Sequence, residues 1–352
     1  RGTNHARPDS AAARGLGAVA GLRPQTWFAV TLVREKSEVR APVRGPHFYR
    51  LYRPEARPKM SVQLLGGRNV QELCRALELR PSKKRGQNFV TDPGTVRRIA
   101  QLAIDSPDSG TTVLEIGPGL GSLTLALLEA GARVIAVEID SRLAQALEAT
   151  CQARGVMPGQ LRVLHRDALT IQSVEQLLED SAWDPPTVLA SNLPYNVATP
   201  LLLHCLEALP SLRRAVNMVQ AEVADRWVAR PGEAAYGAPS VKLAWWGRSR
   251  RAFDVGRNVF YPVPNVDSAV VDFSRHPQPP FPAELREAAF AAVKAAFGQR
   301  RKTLRQSLSD WAGSPAQAEQ ILEACGIDAR LRAERLDVAD FARLAAVFEE
   351  KG

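Results

Sequence analysis

The sequence predicts an α/β protein: a Rossmann-like, doubly wound domain followed by a small all-helical domain. Three observations carry this. Short apolar runs alternate with stretches of helical spacing between residues 112 and 219, a glycine-rich turn joins the first run to its helix, and everything beyond a proline-rich linker at 277–282 has helical periodicity.

Asn69–Leu77 and Asp92–Ile104 have helical spacing, the second with Asp92 as N-cap and Pro93 at the first helical position. Thr112–Ile116 is the first strand. A glycine-rich turn and a helix through Leu123 to Leu128 follow. Arg133–Glu138 is a second strand, Ser141 caps a third helix, Leu161–His165 is a third strand and Val188–Ala190 the core of a fourth. Strands separated by helices at this spacing give a parallel sheet covered on both faces. Arg214–Val219 and Ala269–Phe273 add a fifth strand and a terminal one. Helices are then expected at Ala283–Phe297, Thr303–Trp311, Pro315–Cys325 and Asp337–Glu349. The expected domains are residues 60–276 and 283–352.

The 352 residues are 45% hydrophobic, enough for a full core, and no apolar run approaches the roughly 20 residues of a membrane span. Four dispersed cysteines and five dispersed histidines argue against a disulfide framework and a zinc site, so no metal is expected and a reducing, cytoplasmic setting is. The formal charge is +9. Residues 1–59 hold ten Arg and two Lys against four Asp or Glu, which accounts for +8 of it. That segment has no sustained period and is expected to be disordered; it reads as a leader or non-native extension, an organelle presequence, or a basic arm for RNA, the first being preferred. A nucleic-acid surface in the rest of the chain must come from local clustering.

Glu115-Ile-Gly-Pro-Gly-Leu-Gly121 places glycines at 117, 119 and 121 after the first strand. The spacing is not that of a dinucleotide turn, and Pro118 removes an N–H that a phosphate would use, so a phosphate-free ligand fits better. Glu138 lies 21 residues after Gly117 at a strand end, where a carboxylate accepts from both hydroxyls of a ribose. Asp167 follows the third strand, placed to read an adenine amino group or to cap a helix. All these loops meet at one carboxyl edge. A nucleoside-bearing ligand without phosphates is S-adenosylmethionine, whose sulfonium carries an activated methyl group.

Asn192-Leu-Pro-Tyr195 follows the apolar run Thr187–Ser191 at the same edge. Alone it is a turn. Beside a methyl-donor site it becomes a holder for an amino group on a planar base: the Asn192 side-chain oxygen and a main-chain carbonyl near Pro194 accept the two N–H groups, and Tyr195 stacks on the ring. An exocyclic amine conjugated with a purine is a poor nucleophile until its lone pair is turned out of the ring plane.

With these residues in view, Lys84 to Leu308 resembles the KsgA/RsmA family of small-subunit ribosomal RNA adenine N6,N6-dimethyltransferases. The resemblance rests on Arg85-Gly-Gln-Asn-Phe89, Glu115 to Thr124, Val137-Glu-Ile-Asp140, Asn192 to Asn196, Val219 to Arg226, Tyr261 to Ser268 and Phe297 to Arg305. It implies that Gln87, Asn88, Val90, Gly117, Gly119, Glu138, Asp167 and Asn192 contact the methyl donor, with Val90 standing where Leu is usual and acting through its main chain. It implies catalysis by Asn192, Pro194 and Tyr195. The expected substrate is two adjacent adenines in the 3′-terminal hairpin of small-subunit rRNA, and the expected partner a small ribosomal subunit precursor met by a monomer. Gln299-Arg-Arg-Lys302 with Arg305 is the densest basic cluster of the body, so Arg300, Arg301, Lys302 and Arg305 are expected on RNA phosphates, with Lys83 to Arg85 as a second wall. Trp227, Trp245 and Trp246 read as core. Two other readings stay open: a resistance-type methyltransferase acting on large-subunit rRNA, and a non-catalytic nucleic-acid-binding factor.

Overall fold

The computed structural model describes residues 62–79, 88–106, 110–179, 182–194 and 197–351. The expectations for residues 1–59, Lys83 to Arg85, Gln87 and Tyr195 lie outside these.

The strands are β1 (Phe89–Val90), β2 (Thr112–Ile116), β3 (Arg133–Glu138), β4 (Leu161–His165), β5 (Val188–Asn192), β6 (Arg214–Gln220), β7 (Gly247–Val255), β8 (Phe260–Tyr261) and β9 (Ser268–Arg275). Helices α1 (Gly67–Ala76), α2 (Pro93–Ala103), α3 (Ser122–Glu129), α4 (Ser141–Gln152), α5 (Glu175–Leu178), α6 (Ala198–Ala208), α7 (Ala221–Val228) and α8 (Ala238–Trp246) accompany the sheet. The chain continues through α9 (Arg286–Gly298), α10 (Leu304–Ser307), α11 (Ser309–Ala312), α12 (Pro315–Ala324) and α13 (Val338–Lys351).

Seven strands form one sheet in the order β4-β3-β2-β5-β6-β9-β7. The first five are parallel; β9 and β7 are antiparallel to their neighbours. Alternation along each strand divides the core. Val113, Val134, Ala136 and Val188 pack beneath α1 to α4, whereas Leu114, Ile135, Val137 and Leu189 pack beneath α5 to α8. Both faces are therefore apolar, as a crossover-connected sheet requires.

Sequence and structure differ at several places, and helices α5 to α8 were not individually expected. Asp140, not Ser141, caps α4, its carboxylate accepting from the Arg142 N–H at 3.1 Å. The helix expected over Thr303–Trp311 is two short ones, α10 and α11. Strand β7 was not expected at all, nor was the small ladder in which β1 pairs antiparallel with β8, Phe89 opposite Tyr261. That ladder brings the segment before α2 onto the rim of the sheet. Trp227 and Trp245 are core residues, as expected. The helical tail has its own apolar cluster around Leu304, Leu322 and Phe341, which takes in Tyr236 and Val241 from the α7–α8 segment, and the Tyr236 hydroxyl donates to the Leu336 carbonyl at 2.8 Å. No described helix is long and apolar enough to cross a membrane.

Candidate active site

The β2–β5 ladder ends early. Its paired residues are Val113 with Val188 and Leu114 with Leu189, whereas β2 stays paired to β3 as far as Ile116 with Val137. The two strands at which the sheet order reverses thus part towards their carboxyl ends, and the Ile116 N–H donates instead to Ser191 Oγ at 2.9 Å. A cavity of about 400 Å³ opens there, lined from the ends of β2, β3, β4 and β5. Open α/β sheets bind ligands in this crevice.

The three glycines do different work. Gly117 (φ +67°) and Gly119 (φ +59°) border the cavity in the left-handed region that glycine alone enters freely. A Cβ on Gly117 would meet nothing nearer than Pro194 at 4.0 Å, so the space beside it belongs to the cavity; one on Gly119 would press on Phe89 at 3.0 Å. Gly121 (φ +92°) lies outside the lining, and its Cβ would strike Leu147 at 2.8 Å. Close packing of α3 on α4 explains that third glycine, and ligand approach does not.

Glu138 is buried at the end of β3. The Gly119 N–H donates to its Oε2 at 3.1 Å and the Asp140 N–H to its Oε1 at 2.9 Å, so main-chain donors hold both oxygens of a carboxylate that lines the cavity. Burial raises its pKa above the usual carboxylate value, and these two N–H groups act against the rise. Glu115 is buried more deeply, at 1% exposure, and accepts from the Thr124 hydroxyl at 2.6 Å. Burial pushes its pKa up to about 8, against the Thr124 bond and with the help of Glu138. One of two neighbouring carboxyls therefore stays neutral at pH 7. Asp167 lines the cavity and caps the turn at Ala168–Thr170, accepting from the Leu169 N–H at 3.0 Å, so the capping expectation is met at a residue that also faces the cavity.

Asn192 closes the opposite wall as the last residue of β5. Its Nδ2 donates to the Asn88 carbonyl at 3.0 Å, and its Oδ1 is buried with no hydrogen-bond partner. An unpaired buried carbonyl costs about 1–3 kcal/mol, so this oxygen is an acceptor kept ready for a donor from elsewhere. Pro194 lines the cavity beside it, and its carbonyl accepts from the Val197 N–H at 3.2 Å. Asn88 and Val90 line the same cavity; the Val90 carbonyl already accepts from Ser122 Oγ at 2.7 Å.

Two lining residues were missed by sequence reasoning. Ile139 and Leu169 are 62% and 39% exposed, large apolar side chains directly after a strand end and within a short turn. Side chains of this kind flank a flat ring. The signal was an isoleucine standing immediately beyond the ribose-type acid, where a polar residue is the ordinary expectation.

The basic cluster does not converge on this cavity. Arg300 donates to the carbonyls of Ala234 and Tyr236 at 3.4 and 3.1 Å, and Arg305 pairs with Glu319 at 2.8 Å. Arg301 and Lys302 are exposed, with no partner for either side chain among the described residues.

A phosphate-free nucleoside crevice facing an orphaned amide oxygen is the arrangement of a base-amine methyltransferase. The family described as ribosomal RNA adenine dimethylase matches residues 79–350. The chain belongs to this family. The match runs on through the helical tail, past the limit at Leu308 drawn from the motifs. A relative named ribosomal RNA small subunit methyltransferase A from Thermobifida fusca is 55% identical over 286 residues, covering 81% of this chain and 96% of the relative. Its namesake from Leifsonia xyli subsp. xyli is 52% identical over 286 residues, covering 81% and 99%. Among solved structures, a dimethyladenosine transferase from Plasmodium falciparum shares the fold with a TM-score of 0.60 at 24% identity, over 75% of this chain and 98% of that one. The 23S rRNA methyltransferase ErmE aligns with a TM-score of 0.53 at 27% identity, over 74% and 100%. Members of this family use S-adenosylmethionine, and the residues around the crevice fit it: an acid for a ribose, apolar flanks for a purine, and no phosphate cradle.

Proposed function

We propose that the protein transfers methyl groups from S-adenosyl-L-methionine to N6 of adenine in small-subunit rRNA, forming N6,N6-dimethyladenine at two adjacent adenines of the 3′-terminal hairpin during ribosome assembly. The observation that carries this is the buried, partnerless Asn192 Oδ1 at the mouth of the donor crevice. The relatives at 52–55% identity, which are named for the small subunit, favour that RNA over the large-subunit substrate named for ErmE.

The bound donor supplies a methyl group made electrophilic by its sulfonium. The chain supplies positioning. Glu138 accepts from the ribose hydroxyls, Ile139 and Leu169 flank the donor's purine, and Asp167 accepts from its amino group. Asn88, Val90, Gly117 and Gly119 complete that wall, and Gln87 is assigned to the donor by the family resemblance. On the substrate side, Asn192 Oδ1 and a carbonyl of the Leu193–Pro194 turn accept the two N–H groups of an extruded adenine, which draws the amine out of conjugation. Tyr195 stacks on the base, returning roughly 1–3 kcal/mol of the few kcal/mol that unstacking costs. Holding the amine about 3–3.5 Å from the methyl carbon is then most of the catalysis. Arg301 and Lys302, with Arg300 and Arg305 shaping their loop, bind RNA phosphates from the helical segment at 283–352. The protein acts as a cytoplasmic monomer on small-subunit precursors.

Incubating purified protein and labelled donor with immature small subunits, with mature subunits and with naked large-subunit rRNA tests this directly. Dimethyladenine at adjacent positions in the first sample is expected. Label confined to large-subunit RNA would overturn the assignment.

A further inference from the structure

A second cavity, of about 610 Å³, lies between the C-terminal end of α7, α8 and the first residues of edge strand β7. Arg230, Arg248 and Arg250 line it. Half of the arginines among the described residues are held by acids, including Arg97 by Glu129, Arg162 by Glu179 and Arg286 by Glu207. Arg230 and Arg248 are exposed, and their guanidinium groups have no partner among the described residues. The acid in the lining, Asp272, is 3% exposed and already neutralised, bidentate to Arg214 and bonded again to Arg250. Ser249 adds an Oγ that is shielded and unpaired. The pocket thus has free positive charge at its rim and an unused hydroxyl in its lining.

We propose that this cavity binds the phosphodiester backbone of RNA as an anchor separate from the catalytic crevice. The inference rests on the RNA-methyltransferase reading for the identity of the polyanion. Arg248 and Arg250 stand two residues apart on one strand, about 6.6 Å along it, a spacing that suits successive phosphates of a single strand. Nothing in the lining would hold a base: Trp227 is 3% exposed with its indole N–H given to Thr199, so a free nucleotide would gain only its phosphates. Strand β7 enters at Gly247 opposite Arg275, level with Arg214 at the start of β6. The anchor is therefore at the amino edge of the parallel strands, roughly 20 Å from the carboxyl edge where the crevice opens. A contact at that distance adds affinity and register to a large RNA substrate and leaves the chemistry alone.

The test uses the full chain carrying Arg230→Glu with Arg248→Glu, beside a double lysine variant; Arg250 is spared because it helps hold Asp272. Direct binding to immature small subunits without donor is measured against salt, followed by methyl transfer against subunit concentration. The expected result is a salt slope reduced by about 2, roughly tenfold weaker binding and a correspondingly higher KM, with kcat within twofold of wild type and the lysine variant close to wild type. A wild-type slope and affinity in the charge-reversed protein would overturn the anchor, and so would adenosine monophosphate, at matched ionic strength, displacing subunits from wild type but not from the variant. Aggregation without loss of RNA affinity would also overturn it, identifying these arginines as guards of an edge strand. If the wild type binds subunits but never methylates them, the functional reading falls while the binding arm still decides the anchor. Unchanged thermal midpoints verify folding, and the single Arg248→Ala variant replaces the double one if they shift.

Discussion

Asn192 donates through Nδ2 to the main-chain oxygen of Asn88 at 3.0 Å, tying the end of β5 to the segment that leads into β1. That bond fixes which end of the amide is which and commits the nitrogen, so the oxygen remains as the buried acceptor. The two sides of the cavity are thereby held in one geometry.

Replacing Asn192 therefore acts on both walls unequally. Asn192→Ala removes the acceptor for the base amine and should lower kcat by at least 10²-fold, the usual scale for losing one preorganised electrostatic contact. Donor affinity should weaken only a few-fold, through the loosened Asn88 segment. Asn192→Asp sets a carboxylate oxygen against the Asn88 carbonyl and should weaken the donor more than alanine does. Calorimetric titration of the donor beside single-turnover transfer separates the two effects, and full turnover in the alanine variant would remove Asn192 from the mechanism.

The Glu138 carboxyl predicts a pH dependence of donor binding. Ribose hydroxyls donate to the carboxylate, so binding favours the deprotonated form, and burial has raised the pKa from the usual carboxylate value. Donor affinity should rise with pH through that raised pKa and then level off. Glu138→Gln should bind weakly with a flat profile over the same range. A wild-type profile that is flat, or that falls as pH rises, would show that Glu138 is not the ribose acceptor.

Much of this architecture was legible in the sequence because β2 and β3 are buried, largely apolar runs bounded by turn signals, and β4 follows at the same spacing with alternating apolar residues; the limits of all three were read to the residue. Strand β7 was not legible: its sequence, Gly-Arg-Ser-Arg-Arg-Ala-Phe-Asp-Val, carries the charge of an edge strand, and its pairing to β9 is a long-range fact that local periodicity does not encode. At the site, the acids and glycines were found by position, but spacing treated the three glycines alike, and only the packing of Leu147 separates Gly121 from the other two. The orphaned oxygen of Asn192 was equally invisible, since a sequence names an amide and says nothing of which atoms find partners.

Glu115 predicts a stability effect. Its carboxyl titrates near 8 in the folded chain against an ordinary value of 4.5. Between those values the native state holds the extra proton, so stability from this group is intact below about pH 4.5 and declines as pH rises towards 8. Glu115→Gln keeps an acceptor for the Thr124 hydroxyl without the titration. The variant should gain on wild type by a few kcal/mol between pH 5 and pH 8 in denaturant melts without donor. A constant difference across that range would mean that the buried carboxyl is not protonated.

The basic cluster near α10 divides into two kinds of residue, and the division is testable. Arg300 spends its guanidinium on the Ala234 and Tyr236 carbonyls, bridging the α9–α10 loop to the segment before α8. Replacing it with alanine should lower the thermal midpoint and loosen the loop, so its effect on RNA affinity comes with a loss of stability. Arg301 and Lys302 have no internal partner, so the double alanine variant should melt like wild type while the salt slope of RNA binding drops by about 2. Arg305 lies between, since its pairing with Glu319 is half exposed and worth less than about 1 kcal/mol. Glu319→Ala should free it and modestly tighten RNA binding. Equal losses of affinity in the Arg300 and Arg301/Lys302 variants at unchanged stability would mean that Arg300 leaves its carbonyls to meet the RNA, and that the loop rearranges on binding.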